Sequence, residues 1–155
     1  MVEMAYNMIK TNAQFDFITS ELTEIIDQTT AFIIVDDLDH LVKGGRLSNG
    51  AAMIGNLLNI KPILRFDEEG KIVVYEKIRT SKKAFKRLYK ILAENTKDRD
   101  YKVYVIHSNI PEKAHEVAEE LTSKGFDVSI ASFGAVIGTH LGEGALGFGM
   151  SPKLK

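Results

Sequence analysis

The sequence predicts an α/β domain with one mixed β-sheet flanked by helices. A hairpin pattern in the middle of the chain requires an antiparallel pair of strands, whereas a strand–helix–strand pattern over residues 102–131 favours a parallel pair. The chain has 155 residues and a hydrophobic content of 45%, which suit one domain with one core.

The first thirty residues predict a helical lead-in to this domain. Val2, Ala5 and Met8 recur at helical spacing, and so do the apolar residues between Ile18 and Ile26. The first helix begins at the chain end without a capping residue, which is typical of a chain cut from something longer.

A buried strand, a short helix and a buried helix are predicted next. The apolar, β-branched run over residues 31–35 predicts the strand. Ser48 or Asn49 can cap the second helix, residues 51–58, which is apolar nearly all round and is therefore expected to be buried. Its Gly55 is a poor helix former, so we expect it to permit close approach by another backbone or by a ligand.

The central part of the chain predicts a hairpin followed by a helix. Residues 60–66 and 71–79 are extended runs joined by Asp-Glu-Glu-Gly, which is a strong hairpin signal. Thr80 or Ser81 can cap a helix whose apolar residues recur on one face.

The last part predicts a strand, a helix and a second strand. The strands are residues 102–107 and 128–131, and the helix between them is opened by Asn109 and Pro111 and closed by Gly125. Six of the twelve glycines lie in the segment that follows, which is interpreted as a glycine-rich tail.

Composition and charge exclude several classes of site. Twenty basic and twenty-one acidic residues nearly cancel, so the net charge indicates neither nucleic acid nor an anionic membrane as a partner. The absence of cysteine excludes disulfides, thiolate metal sites and cysteine nucleophiles, and suits a cytoplasmic protein. No signal peptide is visible, and the longest apolar run, residues 31–35, is too short to span a bilayer.

Two tracts in which glycines surround a charged residue form the candidate site. Arg46 lies in Gly-Gly-Arg-Leu-Ser, and Thr139 and His140 lie in Gly-Thr-His-Leu-Gly-Glu-Gly. Glycine lets backbone approach a ligand, arginine offers a fork of donors for a carboxylate or phosphate, and a histidine beside a threonine can donate to the same anion. The residues alone leave two interpretations open: an anion site, or plain turns with a surface arginine and a core histidine.

These tracts, with a third between them, resemble the signature of the DegV family. Gly-Gly-Arg-Leu-Ser follows Asp-Asp-Leu-x-x-Leu and precedes Leu-Asn-Ile-Lys-Pro-Ile-Leu; Lys-Ile-Arg-Thr at 77–80 and Gly-Thr-His-x-Gly-x-Gly-Ala-Leu-Gly at 138–147 come later in the same order. The likeness covers nearly the whole chain. It implies the C-terminal domain of a protein that binds a long-chain fatty acid, present without its N-terminal domain. Some members of the family present the carboxylate of the bound fatty acid to a fatty acid kinase.

The resemblance also implies roles for individual residues. Arg46, His140 and Thr139 would bind the fatty-acid carboxylate between the two domains. Arg79 has two interpretations: a residue at the rim of the site, near the acyl phosphate or the kinase, or an exposed strand-end residue beside a helix cap. Glu143 stands where the family commonly has proline, which adds a negative charge near a site for an anion.

The acyl chain is expected in an apolar slot of this domain. Ile54, Gly55 and Leu58 of the predicted buried helix would line the slot together with Ile63 and Val73 from the hairpin. Self-association is also expected, because the surface that meets the N-terminal domain would be exposed.

Other chemistries have weaker signals. Carboxylates and a histidine between residues 36 and 40 suggest a metal site, but nothing elsewhere in the sequence completes a ligand set. A transferase or hydrolase acting on a carboxylate or phosphate would depend on His140 as its base. A regulatory interaction domain would use the basic segment 77–90. We therefore expect a lipid-binding protein that is not an enzyme and needs no metal or other cofactor.

Overall fold

The computed structural model describes residues 1–47, 60–97 and 100–154, which form six helices and six strands. The helices are α1 (Val2–Lys10), α2 (Phe15–Gln28), α3 (Asp39–Lys43), α4 (Ser81–Asn95), α5 (Pro111–Ser123) and α6 (Ala135–Leu141). The strands are β1 (Thr30–Ile34), β2 (Ile63–Phe66), β3 (Ile72–Glu76), β4 (Tyr101–His107), β5 (Asp127–Ser132) and β6 (Leu146–Pro152).

The six described strands form one sheet in the order β3-β2-β1-β6-β4-β5. β4 and β5 are parallel and are connected through α5, whereas the other neighbouring strands run antiparallel. The predicted fold class, a mixed sheet flanked by helices, is therefore confirmed, and so are the hairpin and the parallel unit on which it rested.

The hairpin strands are shorter than the sequence predicts. β2 begins at Ile63 and not at residue 60, because Pro62 has no N–H to give to a strand ladder. β3 ends at Glu76, three residues before the predicted end. Thr80 caps α4 as predicted, since its hydroxyl accepts a hydrogen bond from the backbone N–H of Lys83 at 3.3 Å.

The glycine-rich tail contains a helix and a strand that the sequence analysis missed, α6 and β6. β6 lies in the interior of the sheet and pairs with β1 on one side and β4 on the other. Its run Leu146-Gly147-Phe148-Gly149-Met150 has low strand propensity, because glycine has no side chain to pack against neighbouring strands. The ladders on both sides stabilise the strand that local propensity does not favour.

One face of the sheet, here called the packed face, is covered by α4 and α5. The large side chains of β6, Leu146, Phe148 and Met150, are buried on this face. They pack in one core cluster with buried residues of the two helices, among them Leu88 and Leu121. Removing these side chains from water is the main stabilising contribution on this face.

The opposite face, here called the hollow face, carries a smaller core cluster beneath α3 and α6. Ile33 and Leu64 from the sheet pack there with Leu41 of α3 and Leu141 of α6. The cluster covers only part of the face, and a cavity lies beside it. The helix predicted over residues 51–58 lies outside the described residues.

Candidate functional site

The candidate site is a cavity of about 720 Å³ on the hollow face. This volume falls within the range of roughly 300–1,000 Å³ that is typical of small-molecule sites. The described lining is mostly apolar, with side chains from β1, β3, β4 and α6. A cavity of this size and character suits an apolar ligand.

The floor of the cavity is formed by the two glycines of β6. Gly147 and Gly149 alternate with the large residues of the same strand, so the large side chains point to the packed face and the hollow face receives none. A methyl group at Gly149 would lie 3.6 Å from Cβ of Tyr104, which is an ordinary van der Waals contact. A side chain at this position would therefore meet no close neighbour. Gly149 thus leaves room above the sheet, whereas a methyl group at Gly147 would meet the ring of Phe133 at 2.7 Å.

The mouth of the cavity carries exposed apolar side chains. Val136 and Ile137 of α6 are 77% and 51% exposed, and Phe66 at the end of β2 is 46% exposed. Side chains of this type are normally covered when they lie together on a surface.

Arg46 is placed by the way α3 ends. Gly45 has φ +65, and the N–H groups of Gly45 and Arg46 donate to the carbonyls of Val42 and Leu41, which is the Schellman arrangement at a helix C-terminus. The exposed Arg46 side chain lines the cavity, and its Nη1 donates to the carbonyl of Gly44 at 3.0 Å. One N–H is used in this way, and the guanidinium has further donors for an anion.

His140 lines the same cavity and packs closely against the end of α3. A methyl group at Gly44 would lie 2.5 Å from Nδ1 of His140, closer than real atoms approach. The contact is matched in the other direction, because a methyl group at Gly142 would lie 2.7 Å from the ring of His40. Glycines of both predicted tracts therefore allow α3 and the segment around α6 to pack closely, and this contact is here called the lock.

The described lining contains basic side chains and no acidic ones. Arg46, Lys71 and His140 line the cavity, and no acidic residue is among its described lining residues. Lys71 is ion-paired with Glu69 in the hairpin turn. An anionic head group thus has attractive partners at the cavity, of which Arg46 has the largest set of donors.

Four of the predicted site residues are not among the described residues that line the cavity: Thr139, Arg79, Ile63 and Val73. Thr139 is exposed and its hydroxyl donates to the carbonyl of Ala135 at 2.8 Å, within α6. Arg79 is exposed just before the cap of α4 and does not line the cavity. Ile63 is fully buried in the core of the packed face, so it faces away from the cavity. Among the predicted slot residues, Ile54, Gly55 and Leu58 lie outside the described residues.

Several lining residues were not predicted, chiefly the floor glycines and Phe133. The signal that could have found the floor is the strict alternation of large residues with glycine in β6, which is a strand pattern with one empty face. Phe133 gives no such signal, because its place over the sheet depends on where β5 ends relative to β6.

Metal and membrane-spanning features are not found in the part of the chain that the structure describes. Across residues 1–47, 60–97 and 100–154, no three His, Asp or Glu side chains are grouped so that they could hold a metal ion. None of the helices described there combines the length and the apolar character needed to cross a bilayer.

Comparison with known sequences relates this chain to one protein family over nearly its whole length. The family model described as "Uncharacterised protein, DegV family" matches residues 1–153. The DegV domain-containing protein M5005_Spy0672 of Streptococcus pyogenes serotype M1 is 56% identical over 99% of this chain and 55% of its own length. The chain thus spans about half the length of the curated relatives it matches.

Solved structures agree with the sequence comparison. The fatty acid binding DegV family protein SAG1342 from Streptococcus agalactiae superposes with a TM-score of 0.92 at 52% identity, covering 99% of this chain and 55% of that protein. DegV from Bacillus subtilis, described as a fatty acid binding protein, superposes with a TM-score of 0.83 at 46% identity, covering 97% of this chain and 54% of that one. On sequence, fold and the order of its glycine tracts, the chain belongs to the DegV family.

Proposed function

We propose that this chain is the acyl-binding domain of a protein that binds long-chain fatty acids. The acyl chain lies in the cavity of the hollow face, and its carboxylate is bound by Arg46 and His140. The observation that carries the proposal is the cavity itself, with apolar walls, a glycine floor and basic groups in its described lining. The similar proteins from Streptococcus agalactiae and Bacillus subtilis are both described as fatty acid binding.

The energetics favour the acyl chain as the main source of affinity. Each methylene removed from water contributes about 0.8 kcal/mol, so a long chain gains on the order of 10 kcal/mol before the ordering of ligand and side chains is subtracted. The carboxylate loses water on binding and needs charged donors in return, which the guanidinium of Arg46 supplies.

The described lining favours binding over catalysis. It includes no Ser, Thr, Tyr, Asp or Glu that could act as a nucleophile or as a carboxylate base beside His140. A protein of this kind binds the acyl chain and leaves the carboxylate accessible to a separate enzyme that modifies it. The partner that the family resemblance implies is a fatty acid kinase.

Arg79 is the residue proposed to contact that kinase. It is exposed and lies away from the cavity, so it can meet a partner without touching the acyl chain. In an assay that supplies a fatty acid kinase and ATP, Arg79→Ala should slow formation of acyl phosphate while fatty-acid affinity stays unchanged. Equal rates for the variant and the parent would remove Arg79 from the kinase contact.

The chain is further proposed to be the C-terminal domain of a two-domain protein. A second domain would cover the exposed apolar side chains at the cavity mouth and would add donors to the carboxylate. Each hydrogen bond to a charged group is worth roughly 1.5–3 kcal/mol, so a longer chain carrying the N-terminal domain should bind fatty acid at least about tenfold more tightly. Calorimetric titration compares the two, and equal affinities would contradict an interdomain site.

The cavity is tested by filling its floor. Gly149→Leu places a side chain where about four ligand methylenes would lie, so fatty-acid affinity should fall on the order of 100-fold. Ala93→Leu introduces the same leucine side chain at an exposed position of α4 and should bind like the parent. Organic extraction with mass spectrometry and titration with a fatty acid both report the result. Equal binding by Gly149→Leu and the parent would show that the acyl chain lies elsewhere.

A further inference from the structure

Phe133 has a position in the cavity that the carboxylate site does not explain. It directly follows β5, and its N–H donates to the carbonyl of His107 at 2.9 Å, which extends the parallel pairing with β4 by one residue. Its backbone is therefore held by the sheet. Its side chain is half-buried, packs against the core cluster of the hollow face and lines the cavity.

The ring of Phe133 points end-on at the floor glycine Gly147. A methyl group at Gly147 would lie 2.7 Å from Cζ of the ring and 3.5 Å from each of its Cε atoms. Since β4 lies between β5 and β6 in the sheet, the ring reaches across β4 to the interior strand. The tip of the ring thus packs directly against Gly147. Any larger residue at position 147 would displace the ring into the cavity.

Phe133 and Arg46 approach the cavity from opposite edges of the sheet. Arg46 is adjacent to Leu47, which forms a bridge with Ile72 on the edge strand β3, whereas Phe133 follows the other edge strand, β5. β3 and β6 are three strand spacings apart, which is about 14 Å at 4.7–4.9 Å per spacing. Both residues line the same cavity, so the acyl chain of a carboxylate held at Arg46 would have space to extend across the sheet toward Phe133.

We propose, on the basis of the proposed function, that Phe133 is the residue that determines which acyl-chain length the cavity accepts. Its ring, packed against Gly147, closes the end of the cavity, and the terminal methyl group of the ligand contacts it there. Its backbone is held by the pairing with β4 and its side chain is only half-buried, so shortening the side chain leaves the strand pairing in place. Shortening the side chain extends the cavity along the path of the acyl chain.

The test is the affinity of this chain for saturated fatty acids of increasing length, from decanoic to eicosanoic acid. In Phe133→Ala the ratio of long-chain to short-chain affinity should rise, by roughly tenfold for each two methylenes that enter the vacated space. Phe133→Leu removes less of the side chain and should move the ratio the same way by a smaller factor. Gly147→Ala lifts the ring and should move the ratio toward shorter acids.

Phe15→Ala is the matched control, because it removes the same side chain at a 77% exposed position of α2, and Phe15 is not among the described lining residues of the cavity. It should leave the ratio of long-chain to short-chain affinity unchanged. Loss of affinity by the same factor for every acid in Phe133→Ala and Phe133→Leu, or no change at all, would overturn the role of Phe133 while the proposed function stands. A parent chain that binds none of the acids would instead overturn the proposed function, and this inference with it.

Discussion

The two faces of the sheet share the same strands but differ in how much of their surface is filled. On the packed face, Phe148 has no exposed area and stacks edge-on against Phe85 with ring centroids 6.1 Å apart. On the hollow face, the neighbouring residues of the same strand are Gly147 and Gly149, and a cavity of about 720 Å³ lies above them. The comparison indicates that the packed face supplies stability, whereas the hollow face leaves part of its apolar surface uncovered.

The largest expected effect on stability is truncation on the packed face. Phe148→Ala should lower the free energy of unfolding by about 3–5 kcal/mol, because it removes a fully buried ring and leaves a cavity in a close-packed core. Phe66→Ala makes the same change at a 46% exposed position of the hollow face and should lower it by less than about 1 kcal/mol. Urea denaturation measures both, and similar losses would mean that the faces do not differ in this way.

The second effect concerns binding on the hollow face. Arg46→Gln keeps a polar side chain but removes the charge and the fork of donors, so fatty-acid affinity should fall by about 1.5–3 kcal/mol, or roughly 10- to 150-fold. Arg65→Gln makes the same change at an exposed position where the guanidinium lies over the ring of Tyr75, away from the cavity. Titration of both variants should separate them, and an equal loss would indicate a general charge effect.

The third effect concerns the lock between α3 and the segment around α6. In Gly44→Ala the new methyl group would lie 2.5 Å from Nδ1 of His140 and 2.9 Å from the backbone carbonyl oxygen of His40, so the unfolding free energy should fall by about 1–3 kcal/mol. Gly138→Ala meets its nearest neighbour at 3.7 Å and should be neutral or slightly stabilising, since alanine is the better helix residue. Thermal unfolding compares the two variants. An unchanged melting temperature for Gly44→Ala would show that α3 and the segment around α6 are not closely packed.

The smallest effect lies at the outer edge of the packed face, between α4 and α5. Tyr89 donates to Glu120 at 2.8 Å, which lowers the pKa of the Glu120 carboxyl, and burial raises the pKa of the Tyr89 phenol. A lowered carboxyl pKa stabilises the fold above the ordinary pKa of glutamate, and this stabilisation is lost as the pH falls through the folded-state pKa. Tyr89→Phe should therefore weaken the fold by less than about 1 kcal/mol at neutral pH and by less still in acid. Denaturation at neutral and acidic pH tests this, and a loss that grows in acid would contradict it.

Much of the fold was predictable because its elements carry strong local signals. The β-branched run of β1, the hairpin turn, the Thr80 cap of α4 and the helix opened by Pro111 each depend on a few neighbouring residues. β6 was not predictable by propensity, because two glycines in a strand of seven residues lower the local preference for extended backbone. Its identity as an interior strand depends on β1 and β4, which are distant in sequence.

The candidate site was predicted in part. Arg46 and His140 were selected because glycines surround them, and both line one cavity in the structure. The reason given for the glycines was incomplete: Gly44 and Gly142 make room for histidine side chains of the opposite tract, and not only for a ligand. Ile63 was placed in the slot from its apolar character, but a shift of one residue along a strand reverses the face, and Ile63 points to the packed face.

The sequence by itself determined the class of fold and the family, and it selected Arg46 and His140 as candidates, because helix caps, turn residues and glycine tracts act over a few positions. Only the tertiary structure decided which strand lies between β1 and β4, which face is hollow and that Phe133 ends above Gly147. These features depend on strand order and on residues brought together from distant parts of the chain. A pattern of alternating large residues and glycine specifies that one face is empty, but only the packing of α4 and α5 against the other face decides which side of the sheet carries the cavity.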